Sequence, residues 1–165
     1  MSTTEASSAG AAAAGLRGVV AAQSSIGDVN GEQGVLIYQG YDIHDLAEHA
    51  TFEEVVYLLW HGQLPTQSQL DELKGEITTN YAVPAEIIAG MKYMPKDADP
   101  MDVLRTCVSA LDFYDKDGRG TDRESATRAA IKLTGQLGTI VAAWERIRKG
   151  KDVIAPDQNL SIADN

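Results

Sequence analysis

The stretch Gly34–Pro65, GVLIYQGYDIHDLAEHATFEEVVYLLWHGQLP, contains the start and stop signals of several elements in a row. Its apolar run Val35–Tyr38 has the composition of a β-strand. After Gly40 the chain is predicted to turn into a short helix over residues 43–49, and Thr51 is predicted to begin a second helix. Nothing in the stretch has the pattern of a chemical centre, so we interpret it as a folding unit.

The ends of the helices in and after this stretch carry specific signals. Thr51 and Glu54 have the spacing of a capping box, in which each side chain bonds the backbone N–H of the other residue. Gly62 stands where a left-handed helix cap is favoured. Thr66 and Gln69 repeat the capping box, so a third helix is expected to begin there.

Three further helices are predicted along the chain. One begins near Pro84, because proline is tolerated in the first turn of a helix. The next begins at Asp99–Pro100, where a capping side chain precedes a proline. The last covers about residues 122–149 and, at 1.5 Å per residue, would span roughly 40 Å. The expected fold class is therefore all-α, or mainly α.

A small β-hairpin is expected near the amino terminus. Asn30–Gly31 is a strong hairpin signal, because both central residues of a type I′ turn need positive φ. The flanking residues Ile26, Val29 and Val35–Tyr38 have strand composition. Since a lone hairpin is marginally stable, it must pack against the helices.

Bulk composition indicates one ordinary soluble domain. The chain has 165 residues, 44% of them hydrophobic and 23% charged, with a net charge of −10. Such an acidic chain is not expected to bind a nucleic-acid backbone, and no run approaches the roughly 18 apolar residues of a membrane span. Residues 1–14 are expected to form a disordered tail, and residues 15–165 a single folded region.

A single cysteine, Cys107, excludes an intrachain disulfide and favours a reducing compartment, which we interpret as the cytoplasm. Its neighbours place it on a helix at a buried position, where a thiol is structural rather than reactive. The same helix carries apolar Met101, Leu104, Val108 and Leu111 with small residues between them. Small residues let another helix approach closely, so this helix is expected to be central or to form a subunit contact.

No constellation for catalysis or metal binding stands out in the sequence. His44 and His49 are five residues apart and do not share a helix face, and His61 lies at a helix end. The carboxylates near them, Asp42, Asp45 and Glu48, have the positions of caps and solvated charges. We therefore assign no catalytic, substrate-binding or metal-binding residue.

Four colinear segments resemble the amino-terminal region of the citrate synthase family, which includes 2-methylcitrate synthases. The segments are GLRGVVAAQSSIGDVNGEQGVLIYQGYDIHDLA, TFEEVVYLLWHGQLPT, MPKDADPMDVLRTCVSAL, and LGTIVAAWERIRKG with the following IAPD. The resemblance covers about Leu16–Asn165, and the compatible spacing of the four segments makes it specific.

The resemblance implies part of the large helical domain of a homodimeric enzyme. This family condenses an acyl-CoA, which is a substrate rather than a bound cofactor, with oxaloacetate. The reaction needs a carboxylate base, histidines that polarise carbonyls and arginines that hold the dicarboxylate. In the family these groups lie further along the chain. The resemblance thus implies that this chain supplies scaffold, with the helix over residues 100–113 facing its symmetry mate through Met101, Leu104, Val108 and Leu111.

The final residues, LSIADN, have the pattern of a helix start, with Ser161 or Asp164 as the cap. We therefore expect the front part of a longer citrate synthase whose remaining carboxyl-terminal part completes it. Two alternatives stay open: a non-catalytic regulatory or interaction relative, and one subunit of a split citrate or 2-methylcitrate synthase. The sequence does not choose between acetyl-CoA and propionyl-CoA as the acyl donor.

Overall fold

A computed structural model describes residues 24–115 and 120–165 of the chain. Three short strands precede six helices in the described residues. In chain order they are β1 (Gly27–Asn30), β2 (Val35–Tyr38), β3 (Tyr41–Asp42), α1 (Ile43–His49), α2 (Phe52–His61), α3 (Gln67–Thr79), α4 (Ala85–Met91), α5 (Pro100–Leu111) and α6 (Arg123–Arg148). The mainly α class with a small β element is confirmed. The tail expected over residues 1–14 lies outside the described residues.

The three strands form one antiparallel sheet in the order β1-β2-β3. The predicted hairpin is present, but the two-residue turn expected at Asn30–Gly31 is wrong. Asn30 pairs with Val35, so the connection has four residues, and of its glycines only Gly34 has positive φ, at 67°. The Asn30 side chain instead accepts a hydrogen bond from the Gln33 backbone N–H at 3.1 Å, which stabilises the wider turn.

A tight two-residue turn does occur between β2 and β3. Tyr38 pairs with Tyr41 there, and the two central residues, Gln39 and Gly40, have φ values of 49° and 89°. Positive φ at both positions is what a type I′ turn requires. This turn brings the chain directly into α1, whose start is capped by Asp42.

Both predicted capping boxes are confirmed. At the start of α2, the Thr51 backbone N–H donates to Glu54 Oε2 at 2.6 Å and the Glu54 N–H donates to Thr51 Oγ1 at 3.3 Å. Thr66 and Gln69 make the equivalent pair of bonds at the start of α3. Helix α2 ends at Gly62, whose φ of 80° is left-handed as expected.

Helix α6 is the central element, because both clusters of buried residues include its side chains. The first cluster joins α4, α5 and α6 through Ile87, Met91, Val103, Cys107, Leu111, Ile140, Ala143, Trp144 and Ile147. The second joins α2, α3 and α6 through Tyr57, Leu73, Ile77, Tyr81 and Ile131. The predicted buried position of Cys107 is confirmed, since that residue is 2% exposed.

The crossing of α3 over α6 is unusually close at Gly135. A Cβ placed on Gly135 would lie 2.8 Å from the Ile77 carbonyl oxygen and 2.9 Å from that of Asn80. Nearby on α6, Thr139 Oγ1 donates to the Tyr81 carbonyl at 2.7 Å. Glycine at this position therefore lets α6 reach the backbone at the end of α3.

The chain after α6 crosses back over the second cluster as an irregular segment, residues 151–165. The Tyr81 hydroxyl donates to the Leu160 carbonyl at 3.1 Å, and Ile162 packs against the cluster. Ser161 Oγ accepts from the Asp164 N–H at 3.2 Å, so the predicted capping role of Ser161 is confirmed for a single turn. Over the described residues, no helix is both long and apolar enough to cross a lipid bilayer.

Candidate functional site

The three histidines lie on separate parts of the surface. His44 is exposed, and its Nδ1 lies 2.8 Å from Asp42 Oδ1. His49 is exposed at the end of α1, and the ring of His61 stacks on Tyr57 with ring centres 4.1 Å apart. Within the described residues, no group of three or more histidine, cysteine, aspartate or glutamate side chains could hold a metal ion.

The carboxylates beside these histidines act as caps and surface charges. Asp42 Oδ1 accepts the His44 backbone N–H at 2.8 Å, and this bond, followed by the one to the His44 ring, lowers the pKa of Asp42. Asp99 caps α5 in the same way, by accepting the Met101 N–H at 2.8 Å. These groups are engaged with the backbone of their own helix starts, as their positions in the sequence predicted.

The four residues predicted for a subunit interface differ in exposure. Met101 is 67% exposed, whereas Leu104 and Val108 are half-buried, and Leu111 is 6% exposed inside the chain's own core. The face of α5 that packs against α6 is formed by Val103, Cys107 and Leu111. Contact of the four residues with a second subunit stays a prediction, and Met101 is the most accessible of them.

Two depressions flank this face of α5. A shallow cavity of about 470 Å³ lies beside Val108 and Leu111 and extends to the Lys132–Asp115 ion pair on its other wall. A narrower groove of about 90 Å³ runs between α5 and α6 past Leu104 and Trp144. The Trp144 Nε1 is buried and has no acceptor in the part of the chain that the structure describes.

Glu53 is the functional candidate that the sequence analysis missed. Although it is a carboxylate, it is 8% exposed, and it lies on the same face of α2 as buried Tyr57. It lines a cavity of about 320 Å³ between α2, α3 and the segment 158–161. Its spacing of four residues from Tyr57 was the one sequence signal that could have indicated burial.

Most of the residues around this cavity have polar side chains. Its lining residues are Thr51, Glu53, Lys74, Ile77, Thr78, Tyr81, Gln158, Asn159, Leu160 and Ser161. Burial, and after it the negative charge of Glu53, raise the pKa of the Tyr81 hydroxyl. Among the described residues, Glu53 itself has no hydrogen bond and no ion pair. Glu53 thus faces a solvent-connected cavity, and none of the described residues forms an ion pair with it.

The described residues form a mainly helical fold, and sequence comparison defines the class of protein to which it belongs. Residues 15–165 match the family model described as "Citrate synthase, C-terminal domain". The chain therefore belongs to the citrate synthase family, which confirms the resemblance.

Individual relatives agree with this assignment. Citrate synthase 2 of Bacillus subtilis is 43% identical over 152 residues, which are 92% of this chain and 40% of that protein. The 2-methylcitrate synthase 2 of Corynebacterium glutamicum is 42% identical over 151 residues, covering 92% of this chain and 39% of the relative. The crystal structure of citrate synthase from Pyrobaculum aerophilum matches with a TM-score of 0.82 and 34% identity, over 90% of this chain and 39% of that one.

The coverage of these matches has a consequence for function. The chain spans about 40% of the length of the curated relatives it matches. Its fold class and its family are thus shown, together with its correspondence to one part of a larger enzyme. Its position at the amino-terminal side of that enzyme stays a prediction.

Proposed function

We propose that this chain is the amino-terminal portion of a citrate synthase. The complete enzyme condenses acetyl-CoA with oxaloacetate to give citrate and CoA, and the chain acts as an acyltransferase only within it. The observation that carries the proposal is the match of residues 15–165 to the citrate synthase family. The TM-score of 0.82 to a citrate synthase crystal structure supports the same conclusion.

The proposed chemistry requires groups that this chain does not bring together. A carboxylate must remove a proton from the acyl methyl carbon, while donors stabilise the negative charge that develops on the thioester oxygen. In the described residues, His44, His49 and His61 lie apart, and Asp42 is occupied as a helix cap. We therefore propose that base, histidines and arginines come from the rest of the enzyme, which uses the CoA thioester as substrate and needs no further cofactor.

For assembly, we propose a cytoplasmic homodimer whose contact includes the helix over residues 100–113. Exposed Met101 and half-buried Leu104 and Val108 offer apolar area for this contact. The same helix is joined to α6 through Cys107, and Leu104 packs against that contact as well. Packing of α5 against α6 would hold the proposed dimer contact in a fixed position.

The acyl donor is the least determined part of the proposal. Relatives named citrate synthase and 2-methylcitrate synthase match this chain at 43% and 42% identity, respectively. A difference of one per cent does not separate acetyl-CoA from propionyl-CoA. We propose acetyl-CoA as the primary donor, and assaying both thioesters with the completed enzyme distinguishes the two.

An assay of the 165-residue chain by itself tests whether the catalytic groups lie outside it. Release of CoA from acetyl-CoA is measured in the presence and absence of oxaloacetate, with an intact citrate synthase as positive control. We expect no oxaloacetate-dependent release, because the described residues form no catalytic set. Robust release would contradict the proposal that the catalytic groups lie outside these residues.

A further inference from the structure

The indole of Trp144 carries a buried polar atom that the described chain does not satisfy. Trp144 is 4% exposed, and its Nε1 has no hydrogen-bond acceptor in the part of the chain that the structure describes. A buried donor without an acceptor is destabilising, because it has lost its bond to water without gaining another. Only an acceptor from outside the described residues can remove this cost.

The charged groups beside Trp144 do not supply the acceptor. Lys96 Nζ lies over the ring, 5.9 Å from its centre, but an ammonium group only donates. Glu145 follows Trp144 directly, and its carboxylate oxygens are bonded to Arg148 and Lys149 instead. Neither group therefore pairs with the indole N–H.

Trp144 lines the narrow groove between α5 and α6, where an acceptor from outside can approach the indole. Leu104 and Val141 also line this groove, and Val141 is 55% exposed. The volume of about 90 Å³ is far below the roughly 300–1,000 Å³ of small-molecule sites, so the groove is sized for a single side chain. Its lining residues Glu145 and Arg148 pair with each other, so the groove carries no net charge that would repel an identical surface.

A side chain of the right kind projects beside the groove. Met101 is 67% exposed, and it lies one residue after Pro100 and one turn before Leu104, both of which line the groove. Methionine fills irregular apolar gaps, and its thioether sulfur is a weak hydrogen-bond acceptor that also contacts aromatic rings favourably. In a two-fold dimer both subunits use the same surface, so a projecting side chain next to a groove is self-complementary.

We propose that Met101 of one copy enters the groove between α5 and α6 of a second copy and accepts the hydrogen bond of its Trp144 N–H. This inference rests on the proposed function, because it deepens the dimer contact proposed there by adding α6 to it. The two-fold axis repeats the contact, so each dimer contains it twice. The Trp144 N–H is then satisfied only in the assembled protein.

Subunit exchange tests the contact in a hybrid enzyme in which this chain replaces the matched part of Bacillus subtilis citrate synthase 2. Dimers labelled with a donor fluorophore are mixed with dimers labelled with an acceptor, and energy transfer reports the exchange rate. Trp144→Phe removes the N–H and Met101→Leu removes the sulfur, while both keep a large apolar side chain. Each should speed exchange about tenfold, which is about threefold for each of the two lost bonds.

Two further variants make the test specific. If Met101 and Trp144 contact each other across the dimer, the double variant should exchange no faster than the single variants. Trp60→Phe makes the same substitution at a tryptophan that packs against the other buried cluster, so it should leave the exchange rate unchanged. Met101→Leu alters an exposed position, and it keeps the test valid if Trp144→Phe destabilises the subunit.

The outcomes separate this inference from the proposed function. An active, dimeric hybrid whose exchange rate does not respond to Met101→Leu or Trp144→Phe overturns the contact and leaves the activity standing. Additive effects of the two substitutions also overturn the contact, since the two residues would then act independently. A folded, dimeric hybrid without condensation activity overturns the proposed function, whereas a monomeric hybrid overturns the dimer and this contact together.

Discussion

At the scale of single residues, Gly135 is a position where the structure leaves no room for a side chain. Alanine there would place a methyl carbon 2.8 Å from the Ile77 carbonyl oxygen, a backbone atom that cannot rotate away. We expect Gly135→Ala to destabilise the chain by about 1–3 kcal/mol, the range for overpacking a close contact. Urea denaturation followed by circular dichroism measures this difference.

Gly138, one turn further along α6, is the matched control. Nothing lies within 4 Å of a Cβ placed on it. Gly138→Ala should therefore stabilise the chain by about 0.5–1 kcal/mol, through the higher helix propensity of alanine. Equal effects of the two substitutions would contradict the close crossing of α3 and α6.

Cys107 offers a second test at this scale. It is 2% exposed, and burial raises the pKa of its thiol, so little thiolate forms near neutral pH. We expect no reaction with a disulfide reagent such as DTNB in the folded chain and complete reaction in denaturant. Ser109→Cys introduces a second thiol at an exposed position of the same helix. In that variant we expect one of the two thiols to react without denaturant. Rapid reaction of the unmodified chain would contradict the buried placement.

At the scale of elements, the capping box of α2 should make stability depend on pH. Hydrogen bonds from the Thr51 backbone and hydroxyl lower the pKa of Glu54 below its ordinary value of 4.5. A lowered pKa stabilises the fold above pH 4.5, and this contribution is lost as the pH falls through the pKa of the folded state. Glu54→Ala should therefore cost about 1 kcal/mol at neutral pH and progressively less in acid.

The equivalent box of α3 is an uncharged control. Gln69 Oε1 accepts the Thr66 backbone N–H at 2.8 Å, as a carboxylate does at α2. Because glutamine does not titrate, the cost of Gln69→Ala should stay constant between neutral pH and pH 3. A pH-independent cost of Glu54→Ala, measured by urea denaturation over the same range, would refute the assigned role of the Glu54 charge.

The element boundaries could be predicted because caps are local. The box at Thr51 and Glu54, the left-handed Gly62 and the Asp99–Pro100 start involve contacts within four residues, and all appear as expected. The Asn30–Gly31 turn could not be predicted from the same kind of reasoning. A four-residue loop replaces the expected turn, and in it the Asn30 side chain accepts a hydrogen bond from the Gln33 N–H. Because the same sequence is compatible with both kinds of turn, the local pattern did not distinguish them.

Features that depend on neighbouring elements could not be predicted from the sequence. Glu53 belongs to a segment whose valines and leucines dominate the hydrophobic pattern, yet its own burial depends on α3 and on the segment 158–161. Likewise, the apolar residues of α5 did not show which face meets α6. The buried line of α5 passes through Cys107.

At the scale of the whole molecule, the proposed dimer contact can be broken on the surface of α5. Met101→Asp adds a charge at a position that is 67% exposed, so it should dissociate a dimer without unfolding the subunit. Val108→Asp should act in the same direction, since Val108 is half-buried. Light scattering of the completed enzyme should then report half the mass.

A control for this experiment lies on β1, which packs against β2. Val29 on β1 is 73% exposed, and Val29→Asp should leave the mass unchanged. Leu111→Asp is unsuitable, because Leu111 is buried in the chain's own core and its substitution would unfold the subunit. An unchanged mass for Met101→Asp and Val108→Asp would exclude this face as the dimer contact.

The central claim is that these residues are the scaffold of a citrate synthase whose chemistry is completed elsewhere. The most direct measurement is CoA release from acetyl-CoA, with and without oxaloacetate, by the hybrid in which this chain replaces the matched part of Bacillus subtilis citrate synthase 2. We predict oxaloacetate-dependent release by the hybrid, with none from the 165-residue chain. A folded hybrid that releases no CoA, or a chain that releases it alone, would contradict the account.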